Sequence, residues 1–219
     1  MTNYDQTRQN MILSQILPHK IACPKLIKAM SVLPREKFVS QLQTSLCYGD
    51  QTIEVFKNRY LLAPMIFAKL LQEANIQEDE VVLDIGFGTG YSSIVLSFLA
   101  RHVTGLDTHP SLITRLQQLM TNFNITNIEA VFGPLDKGWQ KQAPYDVIVI
   151  EGAMCHLPID LIDQLKEGGR LVLMKKKVGV NFCQATIVTR RENSWTTIHP
   201  FEAAAPILED FQRPCEFQL

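Results

Sequence analysis

The chain has 219 residues, enough for one domain with a full hydrophobic core. Hydrophobic residues make up 46% and charged residues 20%, and the formal net charge is -1, so no bulk field recruits nucleic acid or an anionic membrane. Five cysteines (Cys23, Cys47, Cys155, Cys183 and Cys215) are scattered and form no CxxC pair, which speaks for reduced thiols in a cytoplasmic protein and against a structural metal site.

The first ten residues show no basic stretch followed by an apolar one, so no secretory signal is expected. Residues 5–75 read as mostly helical. Met11, Ile12 and Ile16, then Ile27 and Met30, follow helical spacing, and Pro18, Pro24 and Pro34 punctuate it. This stretch is expected to form an N-terminal cap (residues 1–75) on a core of residues 76–219. From Val81 strands and helices alternate. Short apolar runs at 81–84, 102–107, 128–132, 145–150 and 170–175 read as buried parallel strands. Residues 92–100, 110–120 and 158–165 read as helices. Pro110 and Pro158 stand at first turns, and Glu167-Gly168-Gly169 is expected to stop the last helix. The longest apolar run, near 92–100, is too short to cross a bilayer. Residues 182–191 and 195–201 have no room for a helix between them and should pair antiparallel at the sheet edge. The expected architecture is α/β: a doubly wound, mostly parallel, seven-stranded sheet with a helical cap and an antiparallel edge hairpin.

The stretch VVLDIGFGTGY, 81–91, carries the chemistry. In an open α/β sheet, ligands bind at the carboxyl ends of the strands, where strand order reverses. Gly86, Gly88 and Gly90 stand at that end, with Phe87 and Thr89 between them. A dinucleotide site wants G-x-G-x-x-G, whereas the spacing here is G-x-G-x-G with Tyr91 next. Asp84 would repel a pyrophosphate and pair with an ammonium group. Asp107, ending the second strand and followed by Thr108, stands where an acid accepts hydrogen bonds from ribose hydroxyls. A ligand with a ribose, an ammonium and no phosphate is S-adenosylmethionine, leaving S-adenosylhomocysteine after transfer. The plainer alternative is a tight turn whose glycines bind nothing, with Asp84 as a helix cap.

VLDIGFGTGYSS, 82–93, resembles the first motif of class I (Rossmann-like) methyltransferases. The wider chain is similar to protein-L-isoaspartate O-methyltransferases. The likeness rests on AMSVLPREKFV at 29–39, Tyr48-Gly49-Asp50, Ala63-Pro64, APYDVIVIEGA at 143–153 and LPIDLIDQLKEGGRLV at 157–172. It covers about residues 11–207. The resemblance implies transfer of a methyl group from S-adenosylmethionine to the α-carboxyl of an isoaspartyl residue in damaged protein, by a cytoplasmic monomer. It also implies a cofactor site of Asp84, the loop 86–90, Asp107, Thr108 and, near adenine, Gly133, Pro134 and Leu135.

The family's G-Q-T-I-S-A-P loop falls on residues 58–64. There Arg59 is new and Leu62 takes the place of a serine that the resemblance puts at the methyl-transfer site. The family's Gly-Asp-Gly reads Gly133-Pro134-Leu135, and its Val-Thr-Ala-Ala reads Ile150-Glu151-Gly152-Ala153. The cofactor cleft is therefore expected to be kept and the acceptor site remodelled. Glu151 would repel a carboxylate unless Arg59 offsets it. Arg59, Leu62, Glu151 and His156 are the acceptor-side candidates, and no catalytic residue is assigned. His156 is a general-base candidate beside Cys155, though an ordinary loop pair is the plainer reading. The acceptor is expected to be a protein or peptide, or else a small molecule, with no nucleic acid and no membrane as partner. The competing reading is a silent paralogue that binds the cofactor as a sensor or interaction module. A nicotinamide dehydrogenase is disfavoured by the glycine spacing.

Overall fold

A computed structural model describes residues 3–177, 179–192 and 194–211. Position 193, in the expected edge turn, and Cys215 lie outside the described residues. Helix α1, Tyr4–Met11, starts at Asn3, whose side chain accepts from the Gln6 N–H at 3.2 Å. It continues through a π turn, Ile12–Ile16, to a short 3-10 turn containing Pro18. Helix α2, Pro24–Val32, opens on its proline. Met11, Ile12, Ile16 and Met30 are buried as their helical spacing expects, whereas Ile27 is only half-buried and Leu26 beside it takes the inner face.

The helical expectation fails at residues 53–61. Strands β1, Ile53–Phe56, and β2, Arg59–Leu61, form an antiparallel hairpin. Ile53 and Val55 alternate with Glu54, a period-2 pattern, and Asn58 takes φ 55° at the turn. Helix α3, Pro64–Ala74, follows and ends on Asn75 in the left-handed region.

The main sheet contains β3, Val81–Ile85; β4, His102–Asp107; β5, Ile128–Phe132; β6, Tyr145–Met154; β7, Leu165–Lys176; and β8, Cys183–Arg191. Its order is β8–β7–β6–β3–β4–β5. Strands β3 to β7 run parallel, and β8 is antiparallel to β7. Helices α4, Tyr91–Ser97, α5, Pro110–Phe123, and α6, Ile159–Ile162, make the crossovers. The chain returns along β8 in two pieces, β9, Ser194–Ile198, and β10, Glu202–Ala203. The expected seventh strand is thus split, because Pro200 lacks an N–H for the ladder. The sheet has eight strands in consequence.

Alternate residues of the central strands serve two cores. Val82, Val103, Val147 and Val172 pack with the N-terminal helices, α3 and α4, while Leu83, Leu106, Ile148 and Leu171 pack with α6. Several expected boundaries move: α4 ends at Ser97 rather than near 100, and α5 runs on to Phe123 rather than 120. Helix α6 ends at Ile162 rather than near 165, and residues 165–169 become a bulged entry to β7. Strand β6 runs past Ile150 to Met154, because a later segment pairs with its end: Ala153 N–H donates to Pro206 O at 2.8 Å and Leu208 N–H to Ala153 O at 3.0 Å. Order reverses between β6 and β4, with β3 in the middle, so the carboxyl end of β3 is the switch point.

Arg170 on β7 holds the entry to β3. Its guanidinium donates to both Glu80 oxygens at 2.7 Å, to Asn75 O at 2.7 Å and to Ala74 O. It thereby satisfies carbonyls at the end of α3. Arg170→Ala is expected to destabilise the fold by about 2–3 kcal/mol in urea unfolding, with Arg170→Lys recovering only part, because lysine lacks the planar fork.

Candidate functional site

Asp84 sits at the switch point, fully buried. Its Oδ2 accepts from Ser92 Oγ at 2.7 Å and Ser93 Oγ at 2.6 Å, both on the first turn of α4. Its Oδ1 is buried without a partner. Burial pushes the Asp84 carboxyl up to about 7, against the pull of the two serines. Burial likewise pushes the Glu151 carboxyl well above its ordinary value, and the Asp84 charge adds to this, while Arg35 opposes it. Two carboxyls in a dry site favour the protonated form, or a cationic ligand.

Asp107 ends β4 and is also fully buried. Arg59 Nε donates to both its oxygens at 3.0 Å. Gly88 N–H donates to Oδ2 at 3.1 Å and Thr108 N–H to Oδ1 at 2.7 Å. Arg59 is 1% exposed, and its remaining nitrogens donate to Thr108 Oγ1 at 2.7 Å, Asn58 O at 2.8 Å and the Asp210 carboxylate at 2.8 and 3.3 Å. Burial works against the Arg59 charge, but hydrogen bonding to Asp210 and the charge of Asp107 outweigh it, so its pKa is raised. Burial raises the Asp107 pKa, and Arg59 with the two backbone N–H groups pulls it back part of the way. Arg59, expected at the acceptor, therefore lies on the acid expected for a ribose. It does not offset Glu151; Arg35 stands in that role.

The glycine loop itself is covered by protein. A Cβ on Gly88 would lie 3.2 Å from Arg59 Cβ, and one on Gly86 would lie 3.3 Å from Leu208 Cδ1 and 3.4 Å from Leu135 Cδ1. Phe87 is buried, Thr89 Oγ1 donates to Phe38 O at 2.6 Å, and Gly90 stands at the start of α4. Gly133 N–H donates to Asp107 O at 3.1 Å, Pro134 opens the short turn after β5, and Leu135 is core. By residue type the set fits S-adenosylmethionine: an orphaned carboxylate oxygen on Asp84, a glycine loop stripped of side chains, and an acid ending the next strand. The space above it is taken by Arg59 and by residues 206–211 of the same chain.

Leu62 is 1% exposed and points into the core, while its carbonyl accepts from Arg35. The nearby hydroxyl is that of Thr52, which accepts from Ala63 N–H at 3.2 Å. Thr52, Ala63, Met65, Asn181, Glu202 and Ala205 line a cavity of about 450 Å³. His156 is exposed and lines a separate cavity of about 410 Å³ with Lys137, Asp160 and Phe211. Cys155 beside it is disulfide-bonded, whereas Cys23, Cys47 and Cys183 are free. The expectation of reduced thiols fails at Cys155, since spacing along the chain does not show which thiols the fold brings together. Sequence reading passed over Arg35, Tyr91, Leu208 and Asp210. Only the arrival of the C-terminal segment at the strand ends brings Leu208 and Asp210 to the site, and no local pattern marks that. Among the described residues no helix is long and apolar enough to cross a membrane.

A model of the protein-L-isoaspartate(D-aspartate) O-methyltransferase family matches residues 6–204. A relative in Protochlamydia amoebophila, named protein-L-isoaspartate O-methyltransferase, is 34% identical over 163 residues, covering 74% of this chain and 78% of that one. A solved protein-L-isoaspartate O-methyltransferase superposes with a TM-score of 0.79 at 22% identity; 91% of this chain is covered, and it spans 65% of the other. A Plasmodium falciparum structure described as a candidate member of the same group, in complex with S-adenosyl-L-homocysteine, superposes with a TM-score of 0.77 at 16% identity. The match covers 96% of this chain and all of that one.

Two outcomes follow from the buried charges. Arg59→Met leaves Asp107 buried and unpaired, and is expected to cost about 3–5 kcal/mol in urea unfolding; adding Asp107→Asn should recover much of it. A penalty for the double variant equal to the sum of the singles would show that the two side chains do not couple. Asp84 ionises near its ordinary value of 3.8 when unfolded and near 7 when folded. The folded state thus holds a proton that the unfolded state has lost. The associated stability is full at low pH, declines as pH rises from about 4 and is gone above about 7. Asp84→Asn should flatten that decline in urea midpoints measured across the interval.

Proposed function

The chain belongs to the protein-L-isoaspartate(D-aspartate) O-methyltransferase family, whose members are S-adenosylmethionine-dependent O-methyltransferases, and we infer that it methylates a carboxylate in a protein or peptide at the cavity beside Thr52. The observation that carries this reading is the buried, unpartnered Oδ1 of Asp84 at the switch point of the sheet. In the bound state S-adenosylmethionine supplies a methyl group already activated on a sulfonium. Asp84 would take its ammonium, the loop 86–90 its methionine and ribose, Asp107 and Thr108 the ribose hydroxyls, and residues 133–135 the neighbourhood of adenine.

The chain's own task is then to orient an acceptor oxygen and exclude water. A carboxylate acceptor is already a nucleophile, so no general base is required. That agrees with the burial of Leu62 at the family's serine position. Glu151 does not oppose such an acceptor when burial holds it neutral. Thr52 and the start of α3 at Ala63-Pro64 border the cavity and would orient the acceptor. We further propose that residues 1–75 act as a cap carrying the acceptor loop on a core of residues 76–219. A formal charge of -1 supports a partner other than nucleic acid, since no bulk field would recruit one.

Transfer of labelled methyl from S-adenosylmethionine to an isoaspartyl peptide, with the aspartyl peptide as control, tests this reading. Base-labile label on the isoaspartyl peptide alone is expected. Absence of label from a chain shown to bind S-adenosylhomocysteine would remove the carboxylate acceptor. On the same assay, Thr52→Val is expected to raise KM several-fold and leave kcat within about threefold, as for a group that positions the acceptor.

A further inference from the structure

We propose that residues 206–211 and Arg59 form a strap that closes the cofactor cleft from within the chain, and that cofactor binding requires its release. The inference rests on reading the glycine loop and Asp107 as the cofactor site. The strap enters along β6, through the two backbone hydrogen bonds at Ala153. Leu208 is then fully buried against two glycines. A Cβ on Gly152 would lie 2.6 Å from its Cγ, and one on Gly86 3.3 Å from its Cδ1. The absence of both side chains makes the seat for Leu208. One of those glycines is the first of the loop that would face the cofactor.

Polar contacts fasten the far end. Asp210 takes two N–H groups of Arg59, and Glu209 accepts from the Asn58 side chain. Arg59 in turn holds both oxygens of Asp107 through Nε. A ribose could take that carboxylate only by displacing the guanidinium, and a ligand could reach Gly86 only by displacing Leu208. Among the described residues the strap is held by the two backbone hydrogen bonds at Ala153, by Ile207, Leu208 and Phe211 against the two cores, and by the polar pairs of Glu209 and Asp210, and these are the contacts that cofactor binding would exchange for its own. Cofactor affinity is then reduced by the fraction of molecules that are closed.

Hydrogen exchange on the unmodified full chain, with and without S-adenosylhomocysteine, is the test. With ligand bound, the Leu208 amide should exchange at least about tenfold faster, while amides of residues 86–90 slow down. In calorimetry, Leu208→Ala in the full chain should bind S-adenosylhomocysteine about tenfold more tightly than the unmodified chain, with its melting temperature recorded to show that it is folded. A Leu208 amide as slow or slower in the complex, with no tighter binding by Leu208→Ala, overturns the strap and leaves the cofactor reading intact. Absence of binding by either chain overturns both.

Discussion

A carboxylate with no exposure to water must find its counter-charge inside the protein, and Asp107 finds it in Arg59. This pair ties together four stretches that are distant in sequence. Arg59 comes from the β1–β2 hairpin, Asp107 from the end of β4, Gly88 donates from the glycine loop, and Asp210 reaches in from the C-terminal segment. An error in the position of any one would leave a buried charge or a buried N–H unpaired. The hairpin, which follows a helical region and precedes α3, is aimed by that requirement. Phe56 packs beside His109 at the start of α5 with ring centroids 4.9 Å apart, and so anchors the hairpin over the sheet's carboxyl edge.

The same edge holds an unusual concentration of buried polar groups. Asp84, Glu151, Arg35 and Tyr91 lie within the core, and Asp84 Oδ1, Arg35 Nη1 and Tyr91 Oη have no hydrogen-bond partner. Folding alone would not favour such groups, since each costs desolvation without compensation. Their presence at the switch point is intelligible if a ligand completes them. An ammonium on Asp84 supplies the charge that burial denies it, and lowers the proton affinity of both acids together. On the proposed reading, the family's chemistry and this chain's electrostatics would meet at Asp84, and the proposed strap would govern when they do so.

Much of the fold was legible in the sequence because parallel strands buried on both faces read as apolar runs, and the prolines at 110 and 158 stand at or just before real helix starts. The hairpin at 53–61 was less legible, since only a brief alternation marks it. The length of β6 and the brevity of α6 escaped local reading because tertiary pairing sets both. At the candidate site, the placement of Asp84, the glycines and Asp107 at the carboxyl ends of β3 and β4 was legible, since the apolar runs that precede them mark the strands. The engagement of Arg59 with Asp107 was not. Sequence shows that a cation replaces the family's glutamine, and says nothing of which carboxylate, 48 positions further on, will claim it. Leu208 is an ordinary apolar residue in a C-terminal stretch, and only its seat between Gly86 and Gly152 gives it meaning.

The central claim is that Asp107 has two alternative partners, Arg59 and a ligand ribose. The most direct measurement follows the Arg59 Nε–H resonance in the nitrogen-15 spectrum of the full chain during titration with S-adenosylhomocysteine. The account predicts a downfield, slowly exchanging Nε–H in the free protein that moves toward the solvated arginine position as ligand binds. Ligand binding, seen at the amides of residues 86–90, with the Arg59 resonance unmoved would contradict it.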